Sequence, residues 1–263
     1  MVRLGMSATD APILAKHPVA DIINFNTGAL IAWLVKDGNA LSRCDANFSG
    51  CVAIAPVATS VDMRLNIGVT DVRLLLEIDD QLFIYTSASN TLSSSVFTRS
   101  AGTSNTSAVS DGNDVYFGNG ISVYKFPADG SMVATELAAE TSTIQLVELT
   151  SNKVVYQIET EGVGQELKSM PKTGGTPLSL ATATGVNNLF LMFVAGDKLY
   201  YDIRTTTNNS GELSITPIAA GVVDENGNNQ VETTNAAWIG GVYSTTSDFS
   251  KAGNQSILIE KVF

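Results

Sequence analysis

The residues able to do chemistry are few. The chain has one histidine, His17, and two cysteines, Cys44 and Cys51. A Ser-His-Asp triad would have to use His17, which precedes Pro18, and there is no G-x-S-x-G elbow. The cysteines sit in RCDANFSGC with six residues between them, around an Asn and Ser-Gly turn signal. If the flanking segments pair as a hairpin, the two sulfurs come within bonding reach. We read them as a local disulfide; the alternative is two free thiols. Two cysteines and a remote histidine are too few for a structural zinc site.

Oxygen ligands give one weak metal candidate. DENGNNQVE places Asp224, Asn226 and Asn228 at alternate positions, like the start of a calcium loop. Gly227 falls at the fourth position rather than the sixth, and Asn235 stands where a bidentate Glu belongs. A turn-rich linker is the preferred reading, and the sequence implies no cofactor. The sequons beginning at Asn47, Asn105, Asn208 and Asn254 are no more than an Asn-, Ser- and Thr-rich composition produces.

Bulk properties narrow the class. The 263 residues are 44% hydrophobic and 16% charged, enough apolar material for a core and too little charge for disorder. A net charge of -11 repels phosphate backbones and excludes a nucleic-acid partner. The most apolar stretch, NLFLMFVAG (188–196), is shorter than the ~20 residues that span a bilayer. MVRLGMSATDAP has no signal-peptide apolar stretch, so the protein is either cytosolic or has lost an export segment. The disulfide reading favours an extracytoplasmic protein: periplasmic, cell-surface or secreted.

The elements that must position any site are short strands. One strand type reads AWLVKD, RLLLEI, DVYFGN, KVVYQI, KLYYDI and GVYSTT, with markers Trp33, Leu74, Val115, Val154, Leu199 and Val242 at steps of 41, 41, 39, 45 and 43. The next reads ALSRCD, QLFIYT, GISVYK, ELKSMP, ELSITP and SILIEK, with markers Leu41, Leu82, Ile121, Leu167, Leu213 and Ile257. A unit of about 42 residues made of short strands predicts a propeller blade. Unit four divides into strands A (TIQLVEL), B (KVVYQIE), C (QELKSMP) and D (TPLSLAT). YKFPADGS, KSMPKTGG and SITPIAAG mark C–D turns in units three, four and five, where Pro closes strand C and Gly supplies positive φ. The expected fold is a single all-β, six-bladed propeller of four-stranded antiparallel blades over 1–263. The last unit stops after strand C, and the N-terminal segment at about 10–18 would complete the last blade. The alternative is a fragment of a longer propeller.

The pattern in DGNDVYFGNGISVYKFPADGS and SNKVVYQIETEGVGQELKSMPKTGGTP resembles the TolB-like six-bladed β-propeller repeats, closely in units three to five and loosely elsewhere. The Trp-Asp signature of WD40 repeats and the glycine pairs of kelch repeats are missing. The resemblance implies a scaffold, often exported in bacteria, that binds proteins or small ligands.

The spacing also predicts where a site lies. The two strand markers are 8, 8 and 6 residues apart in units one to three and 13, 14 and 15 apart in units four to six. Longer B–C loops on one sector, together with the long crossover 219–235, predict a polar recognition patch using Glu159, Glu161, Asp202, Asn208, Asn209 and Asp248. Loop drift is the alternative. The expected function is a monomeric, non-enzymatic scaffold binding a protein partner or small polar ligand. A carbohydrate-active enzyme, hydrolase or lyase, with a carboxylate pair at the central channel is the alternative.

Overall fold

The computed structural model describes residues 16–24, 29–67, 72–185, 187–209 and 212–228; Asp248, the sixth unit and residues 10–15 lie outside them. The described residues form strands and turns, with no helix among them. Three sheets are plain four-stranded meanders in chain order: β1–β4 (Lys16–Asn24, Ala29–Asp37, Ala40–Asp45, Val52–Pro56), β10–β13 (Val109–Ser110, Asp114–Asn119, Ser122–Pro127, Thr135–Ala139) and β14–β17 (Thr143–Leu149, Lys153–Thr160, Gly164–Pro171, Leu178–Thr184). The second sheet is β5–β8 (Val61–Asn66, Arg73–Ile78, Gln81–Thr86, Thr91–Leu92), with β9 (Phe97–Thr98) also pairing β7. The fifth is β18–β20 (Asn187–Ala195, Lys198–Asn209, Glu212–Asp224).

These are the predicted B and C strands of units one to four, joined by tight turns. Asp37 and Ala40 close one pair, Ile78 and Gln81 the next. Both turns use a left-handed residue, Gly38 at φ 60° and Asp79 at φ 54°, as short hairpins require. Lys16, His17 and Pro18 pair with Asp37, Lys36 and Val35, so the end of the expected closing segment belongs to the first strand of the first sheet.

The chain divides into two compact units, residues 1–119 with 124–136, and residues 120–123 with 137–263. In the first, β6 is buried on both faces. Leu74 and Leu76 join Ile22, Leu34, Leu41 and Tyr85, while Leu75 joins Leu82, Ile84, Val115, Phe117 and Phe126. A strand covered on both sides reads as a continuous apolar run, here Leu74, Leu75 and Leu76, rather than as an alternation. In the second unit Val155, Leu167, Ala183, Leu189, Leu199 and Val223 pack β15–β17 against β18–β20.

Polar side chains fix the connections between consecutive sheets. Asp79 accepts hydrogen bonds from the amides of Ala58 (3.0 Å), Thr59 (2.6 Å) and Ser60 (3.0 Å) and from the Thr59 hydroxyl (2.8 Å), tying the β6–β7 turn to the crossover from the first sheet. The Ala58 and Thr59 amides hold its carboxyl well below the usual carboxylate range. A depressed carboxyl contributes stability above its unfolded pKa of about 3.9 and loses it as pH falls through the lower folded value. Asp79→Asn, which still accepts the left-handed backbone, should therefore lower Tm at pH 7. The difference from wild type should narrow below about pH 4. Thermal melts from pH 7 to pH 2 measure it, and a pH-independent difference would contradict the assignment.

Candidate functional site

Of the predicted patch, Glu159, Glu161, Asn208 and Asn209 lie at one end of the second unit, but the chain there is not looped as expected. The turn between β15 and β16 is short: Thr160 faces Gly164, and the Val163 amide donates to the Thr160 carbonyl at 3.0 Å. The Gly185 amide donates to the Val163 carbonyl at 2.9 Å, binding this turn to the crossover that follows β17. Gly164 has φ 139°, and a Cβ there would lie 2.0 Å from the Ala183 carbonyl oxygen, so only glycine lets β17 approach. Glu159 and Glu161 are exposed at this end.

In the fifth sheet the extra residues form strand instead of loop. β18 pairs with β19 as far as Asn187 opposite Thr205. The β19–β20 ladder continues past that point, with Thr206 facing Ile215, Asn208 facing Leu213 and Asn209 facing Glu212. Residues 204–209 of the segment read as loop RTTTNNSG are therefore strand in a long hairpin, which among the described residues extends past the end of β18. Asn208 and Asn209 sit near its tip, on the same end of the unit as Glu159 and Glu161.

The register also corrects the reading of unit five. In sheet four Gln157 faces Leu167; the equivalent residue in sheet five, Asp202, faces Ala220 rather than the marker Leu213. SITPIAAG is not a turn. Pro217 lies within β20 opposite Arg204, beside a register shift between Ile203 and Arg204, a place where a missing donor is tolerated. The true turn is 224–228. The Gly227 amide donates to the Asp224 carbonyl at 3.0 Å, as the Gly130 and Gly174 amides donate to the carbonyls of Pro127 and Pro171, both at 2.9 Å.

This turn absorbs the calcium candidate. Asp224 accepts from the amides of Asn226 and Asn228 and from Asn228 Nδ2, all at 2.9 Å, and these donors hold its carboxyl below the usual range. The next residue, Glu225, is buried and latches the turn to sheet four. Its carboxylate accepts from the Thr150 hydroxyl and from Asn152 Nδ2 (2.9 Å), and its carbonyl accepts from Lys153 Nζ and Ser169 Oγ, both at 2.8 Å. Periodicity gave no hint of this latch.

Asp202 does not join the exposed patch. It is fully buried, and Arg204 Nε donates to its Oδ2 at 2.6 Å. Its Oδ1 has no hydrogen-bond partner among the described residues. Burial pushes the carboxyl up against the opposing pull of Arg204. The guanidinium carbon lies 4.6 Å from the Phe190 ring centroid and Nη2 lies 3.4 Å from Met192 Sδ. The disulfide reading is met: Cys44 and Cys51 are bonded.

No protein-family model matches the chain, and no curated protein matches it. Parts of solved structures are similar. One is an oligogalacturonate lyase solved in complex with manganese, at 11% identity and a TM-score of 0.44, over 76% of this chain and 61% of that one. Another is a prolyl endopeptidase, at 12% identity and 0.47, over 79% of this chain and 35% of that one. A third is a protein from Agrobacterium tumefaciens assigned as TolB, at 10% identity and 0.32, over 65% of this chain and 82% of that one. The chain thus spans less than two thirds of the lyase and of the endopeptidase.

Proposed function

We propose that the chain is a six-bladed β-propeller acting outside the cytoplasm as a non-enzymatic scaffold, and that the β19–β20 ribbon is its docking arm for a protein partner. Residues 236–263 would supply the sixth blade, and the segment ahead of β1 its last strand. The ribbon carries the reading. Among the described residues, β19 beyond Thr205 pairs with β20 alone, and an extended partner segment would add to that edge. The exposed Glu159 and Glu161 border it at the same end. The Cys44–Cys51 bond supports the extracytoplasmic placement. The non-enzymatic reading is favoured by how the buried carboxylates are used. Glu77 accepts from Arg64 Nε at 2.6 Å, Asp202 from Arg204 and Glu225 from its latch, each serving the fold.

The test is a ribbon-shortened chain in which 206–215 are replaced by Asn-Gly, which closes a hairpin from Thr205 to Thr216. A photo-crosslinking residue at position 208 should give one dominant protein adduct in cells of the source. The same residue at Met132 (63% exposed, in the first unit) should not give it. The shortened chain should keep its melting temperature and lose competition for that adduct. Equal competition by the shortened chain, or the same adduct from position 132, would reject the docking arm.

A further inference from the structure

The first unit holds an arginine that the fold does not pair. Acidic residues outnumber Lys and Arg by 26 to 15, so a cation with no carboxylate is unexpected. Arg43 lies in β3 opposite Leu34, and cross-strand partners share a face. Leu34 and Leu41 on that face pack against Leu74, Leu76 and Tyr85 of the second sheet. Arg43 thus stands between the first and second sheets, near the end of β3. Its Nε is shut off from water and has no hydrogen-bond partner. No carboxylate among the described residues pairs with the guanidinium. An arginine that only lays its stem along apolar surface keeps its charged head in water. An enclosed N–H with no acceptor instead costs free energy.

The surroundings add a second donor. Tyr85 is fully buried in β7, and its hydroxyl donates to Asn90 Oδ1 at 3.0 Å. Arg43 is close enough to act on that phenol: burial pushes Tyr85 up, and the Arg43 charge opposes the rise. With its oxygen held by Tyr85, the Asn90 carboxamide must turn Nδ2 elsewhere, and that nitrogen meets no acceptor among the described residues. The backbone of Asn90 is fixed as well, at φ 53° with its amide donating to the Ser87 carbonyl at 3.3 Å. Asp45, two residues beyond Arg43 on the same face, is turned to the Ser49 amide (2.6 Å) and hydroxyl instead. Lys36, at the far end of that face, donates to the Thr59 carbonyl at 2.9 Å. Arg43 and Asn90 therefore present donors that the fold itself does not satisfy.

We propose that Arg43 and Asn90 bind the carboxylate or phosphate group of a small molecule between the first and second sheets, at the ends of β3 and β7. Both groups offer several oxygens on one centre, which suits the planar fork of a guanidinium. Nδ2 of Asn90, aimed by the Tyr85 hydroxyl, gives a further contact to the same group. The site lies in the first unit and does not depend on the β19–β20 ribbon of the second.

Acetate and inorganic phosphate are the probes, each titrated into the intact, oxidised chain at constant ionic strength. At least one should raise Tm saturably, by roughly 3–6 °C at ten times its dissociation constant, and the stronger of the two identifies the group that the natural ligand carries. Arg43→Met should weaken binding more than tenfold, as loss of a charge-assisted contact does. Without probe it should melt no lower than wild type, since removing an unpaired enclosed charge is not destabilising. Asn90→Asp keeps the left-handed backbone and the acceptor for Tyr85 but replaces the donor with a carboxylate oxygen. It should abolish binding, and it decides the matter if Arg43→Met does not fold. Arg73→Met removes another arginine whose Nε is enclosed and should bind both probes as wild type. No saturable rise with either probe in the wild type would overturn the proposal. So would a wild-type rise in Arg43→Met or in Asn90→Asp, or loss of the rise in Arg73→Met.

Discussion

Arg204→Ala should cost about 3 kcal/mol at pH 7, because it leaves the buried Asp202 carboxylate without its countercharge. Asp202 is 1% exposed at the side chain and Arg204 only 14%, so solvent screens little of the loss. The sign with pH follows from burial. Asp202 is already pushed upward by desolvation, with the Arg204 hydrogen bond and charge opposing. A folded pKa above the unfolded value means that the folded state holds the proton more tightly. Stability is then lost as pH rises from the unfolded value, about 3.9, to the folded one. Without Arg204 that shift widens, so the deficit of the variant should shrink as the solution is acidified. Denaturant melts of wild type and variant at pH 7 and pH 5 measure both quantities. Asp202→Asn combined with Arg204→Ala should recover much of the loss, since the charge that needed the arginine is gone. A pH-independent deficit, or no rescue in the double variant, would mean that Arg204 acts through its packing on Phe190 alone.

Leu75→Ala is expected to destabilise the first unit by about 3 kcal/mol, within the range for a buried leucine truncated in a tight core. Leu75 is fully buried at the middle of β6, flanked in the sheet by Leu65 and Ile84 and packed with Val115, Phe117 and Phe126. Strands on both sides hold its backbone, so the cavity has little room to collapse. Urea melts followed through tryptophan emission give the change in midpoint. A loss below about 1 kcal/mol would mean that the site relaxes around the smaller side chain. The exposed Met132, truncated in the same way, should change stability by no more than about 0.5 kcal/mol.

Much of the local architecture was legible in the chain. Alternating or wholly apolar hexapeptides set off by Gly, Asn and Asp turns located the B and C strands of the first four sheets, because side-chain period and turn chemistry are local properties. DGN at 37–39 and DD at 79–80 admit left-handed backbone and so set tight hairpins. The disulfide was legible for the same reason: the turn in RCDANFSGC brings its ends together.

The register of the fifth sheet could not be read this way. ELSITP and IAAGVVD are both able to form strand, and each is followed by a glycine turn or a proline. Nothing local says which one faces KLYYDI. That was decided by the turn at 224–228, whose amides close on Asp224, and by Glu225, whose partners Thr150, Asn152 and Ser169 lie 56 to 75 residues earlier. Once that turn is fixed, every pair along β19 and β20 follows, the hairpin outruns β18, and Asp202 moves from an expected surface patch to the interior. Strands and tight turns follow from neighbours along the chain, so their positions are written locally. Which strand faces which residue, and which carboxylates are buried, depends on contacts between segments far apart in sequence and emerges only when the chain is packed.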